Sequence, residues 1–330
     1  VCSGDGQPCL GRAASEQRLG LAGFGLGLLS ELTPPGAWQP RPLSEPLVRV
    51  RLAERQVIEQ SWSGRAETGW EGTIDGCRFI VERGLAGDYR FVHGPAVHHL
   101  CADASVLRCA PADPSDPAWW RVVLDSVLFT TALLHGYEAL HAAAVATPLG
   151  AVAIAAGTGG GKSTLLSELL LAELTLMADD ILVLRPCDGE PPLAHPAPPV
   201  MTVPAHRTPL LRERGCAPRT IASIGEEDWL PVPVHPSPLP LRALVFLNRK
   251  PGLATEMRVA DRPLAVLMES LLRFPRTRER ERARFELAGT IAEHVPIWQL
   301  DADPRVTPAA LADALLSTLQ TPRRPSVGAA

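Results

Sequence analysis

Lysine is nearly missing from this chain. Of 32 lysine plus arginine residues among 330, only Lys162 and Lys250 are lysines, so positive charge is otherwise carried by arginine. Aromatic residues make up 5%. The seven cysteines (2, 9, 77, 101, 109, 187 and 216) are odd in number and scattered, and none forms a Cys-x-x-Cys pair. That pattern suits neither a disulfide framework nor a zinc site and points to a reducing cytoplasm. A net charge of −4 argues against a general nucleic-acid or membrane-surface role. No internal repeat, Gly-x-Ser-x-Gly or Gly-x-Gly-x-x-Gly motif is present.

Long hydrophobic runs are lacking too. The stretch 19–29, LGLAGFGLGLL, follows Arg18 and has the length of a signal-peptide core. It lacks a small-residue cleavage site and reads as a buried strand. The stretch 142–156 is broken by Pro148 and Gly150 and is too short to span a bilayer. The first residue is valine, which leaves the natural start open.

What is present is a soluble globular composition, 46% hydrophobic and 21% charged. The first hundred or so residues read as β-rich. PLVRVRL (46–52) alternates, and Asp75-Gly76 sits between two strand-like runs in 72–84, a hairpin signal. Stretches 87–94 and 105–110 continue the short strands. Over 114–136 the period changes: Asp116 can cap, Pro117 suits the first helical position, and Trp120, Val123, Leu124, Val127, Leu128, Thr131 and Leu134 recur with helical spacing. Gly136 ends the helix. Strands over 140–146 and 149–156, a helix over 162–174 and a strand over 175–184 follow. The proline-dense segments 186–204 and 231–240 read as exposed connections or edge pieces. A strand (241–249), a helix (262–274), a strand (296–300) and a helix (307–320) complete the pattern. A small β-rich domain over 1–113, an α/β domain over 114–322 and a disordered tail over 323–330 are expected.

The scarce lysine sits in AGTGGGKST (156–164), a phosphate-loop pattern whose first position is Ala156 instead of glycine. Backbone N–H groups from Gly157 through Thr158, Gly159, Gly160 and Gly161 can turn toward an anion, and the following helix points its positive end there. Lys162 would reach the β- and γ-phosphates of ATP, and the Ser163 hydroxyl, followed by Thr164, would reach Mg²⁺. Asp179 and Asp180 fall within an apolar strand, where two carboxylates are costly unless they bind metal, pair with a base or take a proton. Adjacent strand side chains point to opposite faces, so only one need face the phosphates unless a bulge turns both. His141 opens the strand two elements earlier.

Residues 140–184, LHAAAVATPLGAVAIAAGTGGGKSTLLSELLLAELTLMADDILVL, resemble the core of the HPr kinase/phosphorylase family in a histidine-led strand, a glycine loop ending in Lys-Ser, and an Ala-Asp-Asp strand. More loosely, the whole layout is similar to HPr-kinase-related proteins of bacterial peptide-modification clusters, including lasso-peptide-type serine kinases. The resemblance implies an α/β, P-loop HPr-kinase-like (PEP-carboxykinase-like) nucleotide-binding domain behind the small β-rich one. It implies ATP-dependent phosphorylation of a hydroxyl, a serine of a peptide or small protein, with Mg²⁺. By the same resemblance Lys162 and Ser163 hold phosphates and metal, Asp179 is the base with His141 beside it, and Asp180 is a metal-site or supporting carboxylate; which aspartate does which stays open. The family's Glu-x-Arg-Gly-type segment has no counterpart, since 228–240 reads DWLPVPVHPSPLP. A non-catalytic ATP-binding regulator or assembly factor and a free-serine kinase therefore remain alternatives, as does a donor other than ATP. A homo-oligomer is open.

Other candidates read more plainly. Glu226, Glu227 and Asp228 suggest a solvated turn, and His98, His99 and Cys101 a strand surface. The arginines at 276, 278, 280, 282 and 284, with Glu279 and Glu281, suggest a salt-bridged helix face. RTPLLRER (207–214) is a candidate acceptor-binding loop.

Overall fold

A computed structural model describes residues 19–320 apart from 44, 158 and 275. Cys2, Cys9, Thr158 and the expectation for 323–330 lie outside the described residues. The five described cysteines are all free thiols.

Residues 19–110 build a nine-stranded mixed sheet. Its first element corrects the expectation of one buried strand over 19–29. Two strands, Leu19–Gly23 and Leu26–Ser30, pair antiparallel around Phe24 and Gly25, both at positive φ. Beyond Leu47–Leu52 and Val106–Ala110 the sheet continues as an antiparallel meander through Ala96–Leu100, Tyr89–His93 and Cys77–Gly84 to Arg65–Ile74 at its edge. The Asp75-Gly76 hairpin forms where the sequence places it, both residues at positive φ.

The helical stretch after this sheet runs from Trp119 to Leu134, but Val123–Val127 is wound as a π-helix. Asp116 Oδ1 accepts from the Ala118 N–H ahead of it, at 2.9 Å.

A second nine-stranded sheet orders Glu138–His141, Ile181–Arg185, Leu193–His195, Leu239–Arg249, Gly150–Ala156, Ala143–Thr147 and Thr175–Ala178. Ile297–Ala302 joins the far half of Leu239–Arg249, in parallel, and Glu256–Val259 pairs with it. Alternation decides the two faces here. Val145, Val152 and Ile154 lie against Leu165, Leu166 and Leu169 of the helix Lys162–Leu171 and against Leu311 and Leu315 of Pro308–Gln320. The intervening positions, Ala144, Ala146, Ala151, Ala153 and Ala155, join a larger core that takes in the helical stretch 119–134 and both sheets. Each fully buried leucine is worth roughly 1.5–3 kcal/mol, which fixes the loop helix firmly to the sheet.

Two expectations fail on the proline-dense segments. Leu193–His195 lies inside the second sheet, between Ile181–Arg185 and Leu239–Arg249. Val200–Pro204 is an edge strand, as the sequence allowed, paired with Glu227–Pro231 in a three-stranded sheet, but Val232 and Val234 of the second segment are buried. Prolines flank these strands or occupy their ends, so short apolar runs between them can still pair.

Candidate phosphate-loop site

Two strands that the sequence reads as continuous are broken. Ala142 separates Glu138–His141 from Ala143–Thr147, and Asp179-Asp180 form a bend between Thr175–Ala178 and Ile181–Arg185. Each half pairs with a different neighbour: Glu138–His141 with Ile181–Arg185, and Ala143–Thr147 with Thr175–Ala178. The breaks lie side by side, and at this split the strict alternation of side chains is released. Asp179 and Asp180 therefore line the same cavity.

Lys162 enters the split from the first turn of its helix and is only 8% exposed. Its Nζ donates to Asp180 Oδ1 at 2.5 Å and to His141 Nε2 at 3.1 Å. With Nε2 accepting, the His141 proton resides on Nδ1, 3.5 Å from Asp180 Oδ2. Burial holds the His141 imidazole below its ordinary range, and the neighbouring ammonium adds to this while Asp180 opposes it. Asp180 is 57% exposed in its side chain, so it can release Lys162 to another anion at small cost.

The glycines ahead of Lys162 have separable reasons. Gly161, the helix N-cap, sits at φ +90°, a left-handed conformation other residues resist. A Cβ on Gly160 would stand 2.8 Å from the Gly157 carbonyl oxygen and 2.9 Å from Ala156 Cβ. No side chain caps this helix, which leaves its first N–H groups for a ligand. Gly157, Gly159, Ser163 and Thr164 sit in the same loop and first turn, as expected.

Asp179 is anchored differently. Its Oδ2 accepts from the Thr202 N–H at 2.7 Å, and its Oδ1 is buried with no hydrogen-bond partner among the described residues. Burial pushes the carboxyl up to about 7; the Thr202 bond and Lys162 pull it down, whereas Asp180 and Glu227 push it further up. The cavity on this side encloses about 250 Å³ and is also lined by Ser163, Phe24, Arg121, Asp125 and Glu227. Arg121 and Asp125, four residues apart on one face of the helical stretch, line it together. Arg121 approaches Asp75 at 3.5 Å, Glu227 at 3.6 Å and Asp125 at 3.7 Å. Asp125, its side chain 42% exposed, is pushed above the ordinary carboxylate range, desolvation being the main cause and Arg121 opposing it.

A second cavity, about 510 Å³, opens on the other side of the loop. It lies along the carboxyl ends of two parallel strands, Gly150–Ala156 and Leu239–Arg249, the usual ligand side of such sheets. Its walls include His141, Ala156, Gly157, Asn248 and Lys250. Both lysines of the chain thus stand at the loop.

No family model matches the chain, and no curated protein matches it. Among solved structures it is similar to the HPr(Ser) kinase/phosphatase from Coxiella burnetii, at 10% identity and a TM-score of 0.30, over 55% of this chain and 96% of that one. The relationship is distant. No helix of the described residues is long and apolar enough to cross a membrane.

The structure brings His141, Lys162, Ser163, Asp179 and Asp180 together and corrects several lesser expectations. Glu226 stands in an exposed turn with Gly225, as expected; Glu227, also exposed, begins the strand after it and in addition lines the acidic cavity and approaches Arg121. Asp228 is held by Thr208 and Ser223. Residues 208–213 form a helix instead of a free loop, and Arg207 ties it to Glu168 at 2.5 Å. His98 and His99 are buried, not on a strand surface. His98 stacks on Trp119, and His99 pairs with Asp88 at 2.8 Å. In the arginine-rich helix Arg278–His294, Arg282 pairs with Glu286 on the surface as expected, but Arg280 and Arg284 turn inward to Glu138. Sequence reasoning missed Phe24, Arg121, Asp125 and Lys250. Only Lys250 carried a signal, its rarity.

Among the described residues no group of three or more His, Cys, Asp or Glu side chains is set to hold a metal ion alone. The donor set still suits one shared with a phosphate: a hydroxyl (Ser163) and an exposed carboxylate (Asp180), which line the same cavity.

Proposed function

We propose that this protein transfers the γ-phosphoryl group of ATP to a hydroxyl, that of a serine in a peptide or small protein. The observation that carries the reading is the position of Lys162. Its ammonium, at the mouth of a glycine loop, stands between His141 and Asp180 beside a cavity that holds a second, buried carboxylate, Asp179. Phosphoryl transfer asks the protein for charge neutralisation, in-line positioning and a carboxylate near the attacking oxygen.

ATP enters from the 510 Å³ cavity, where Asn248 and Lys250 face it, and its phosphates lie along Gly157–Gly161 and the open helix terminus. Lys162 exchanges Asp180 for phosphate oxygens. Ser163 and Asp180 would hold Mg²⁺, which would supply further neutralisation of the phosphate charge. The acceptor hydroxyl occupies the 250 Å³ cavity next to Asp179. Its oxygen attacks the γ-phosphorus as the bond to the β,γ-bridging oxygen breaks, and ADP leaves with that electron pair. The hydroxyl proton passes to Asp179. A carboxyl raised to about 7 is matched to that task, basic enough to accept the proton and ionised in good part at neutral pH. His141, neutral and accepting from Lys162, aligns the ammonium.

The test is transfer of labelled γ-phosphate from Mg-ATP to serine-bearing peptides, HPr and free serine. Asp179→Asn is expected to lower kcat at least 100-fold with ATP affinity kept, within the usual range for loss of a general base. Lys162→Met is expected to lose ATP binding as well. Transfer by Asp179→Asn at the wild-type rate would refute the assignment. ATP binding without transfer to any acceptor would favour a nucleotide-controlled switch.

A further inference from the structure

Arg65–Ile74 ends the first sheet, pairs on one side only, and is exposed along most of its ten residues. Irregular pairing between Arg65 and Glu67 and between Thr68 and Trp70 blunts the first half of this edge, which leaves Trp70–Ile74 as the regular run able to template another strand. Ile74 and Cys77 flank a two-residue turn, so they exchange ladder hydrogen bonds and Thr73 and Glu71 present their backbone groups outward.

Next to this edge lies an apolar groove of about 340 Å³ between the two sheets, walled by Trp70, Phe79, Phe129 and Phe274. Trp70 is 42% exposed, unusual for so large a ring in a chain with few aromatics. Arg273 and Arg276 stand at the rim, both exposed and without a described carboxylate partner. The groove also adjoins the acidic cavity: Ile181 lines both, Ser126 of the groove follows Asp125 of the cavity, and Ile74 precedes Asp75, which approaches Arg121.

We propose that the edge strand and this groove dock the acceptor as an extended peptide, which adds a strand along Trp70–Ile74, seats a bulky apolar side chain in the groove and offers an acidic group to Arg273 and Arg276. The proposal rests on the kinase reading for the fate of the peptide's serine, which enters the cavity beside Asp179. Main-chain pairing supplies affinity and the groove supplies selectivity, as in other strand-addition complexes. With about 3.3 Å per residue of extended chain and a shared wall between groove and cavity, the apolar residue lies within about three positions of the serine. The free arginines make an acidic neighbour the complementary choice.

The probes are fluorescein-labelled nonapeptides with one central serine in an alanine/glycine background. Phenylalanine is moved through the other positions, with glutamate or lysine beside it. Binding to the full chain is read by anisotropy, and phosphoryl transfer is read separately. One phenylalanine position within three of the serine should bind at least tenfold tighter than alanine, and glutamate should outperform lysine about fivefold. Trp70→Ala should cancel the phenylalanine gain while leaving the all-alanine peptide unaffected. Thr73→Pro, which an edge strand accommodates at an outward N–H, should weaken every peptide about tenfold. The double variant Arg273→Glu, Arg276→Glu should invert the charge preference. Equal affinity across phenylalanine positions, or variants that bind as wild type does, would overturn the docking site. Patterned binding without transfer would keep the docking site and sink the kinase reading; transfer indifferent to groove and edge would do the reverse.

Discussion

Asp179 is an acid whose surroundings favour the protonated form. Burial is the main reason, and Asp180 and Glu227 add to it. As the acceptor of the serine proton it must be ionised, so kcat/KM should rise with pH through an acid limb near pH 7. Removing a nearby negative charge stabilises the ionised form and lowers the pKa. Glu227→Gln should therefore move the limb to lower pH and raise kcat/KM at pH 6 relative to its own plateau. A pH–rate profile of this variant that overlays the wild type would exclude Asp179 as the titrating group. The same residue shows the limit of reading a sequence. Lys162, His141 and the aspartate pair were legible because a glycine loop, a rare lysine and two carboxylates in an apolar run each violate a local expectation. Glu227 was not, because an acidic triplet beside glycine is an ordinary turn until Arg121 is known to stand opposite.

The strand Glu138–His141 carries His141 to the site, and its base is pinned by a buried charge cluster. Glu138 is fully buried and lies 2.9 Å from Arg280 and 3.5 Å from Arg284, while Arg280 also donates to the Tyr137 carbonyl. These contacts lock the helix Arg278–His294 to the strand. Glu138→Gln leaves two inward guanidinium groups facing an uncharged amide. Loss of one partner of a buried pair typically costs about 3–5 kcal/mol, so the midpoint of urea unfolding should fall accordingly, with residual activity limited by the folded fraction. A midpoint within experimental error of wild type would show that the cluster contributes nothing net. The helix itself was legible from its arginine–glutamate alternation. Its inward face was not, since the pattern gives no sign that two arginines meet a glutamate some 140 residues earlier. The strand breaks at Ala142 and at Asp179-Asp180 were equally hidden: an apolar run carries no mark of a change of partner, and the pairing across the sheet produces the break.

At the scale of the whole molecule the two large sheets are joined by their packing as well as by the chain. One continuous core takes in Phe79, Phe91 and Leu107 of the first sheet, Leu124 and Leu128 of the helical stretch, and Ala139, Leu182 and Leu244 of the second. Arg121 adds a polar tie, reaching toward Asp75 of the first sheet and Glu227 of the three-stranded one. Apolar surface shared in this way cannot be exposed in one half without exposing it in the other, at roughly 25 cal/mol per Å². Unfolding should then be a single cooperative transition, despite a composition boundary near residue 113 that reads as a domain border. Tryptophan fluorescence and far-ultraviolet circular dichroism should give coincident urea curves, because Trp62 and Trp70 report on the first sheet and Trp229 and Trp298 on the others. A fragment beginning at residue 114 should fail to fold cooperatively, since it would present to water the part of the shared core that the first sheet completes. Two separated transitions, or a stable fragment that binds ATP, would show that the first sheet is an appendage. The cavity between Phe24, Arg121 and Asp179 would then be an inter-domain cleft able to open, and not a fixed part of one core.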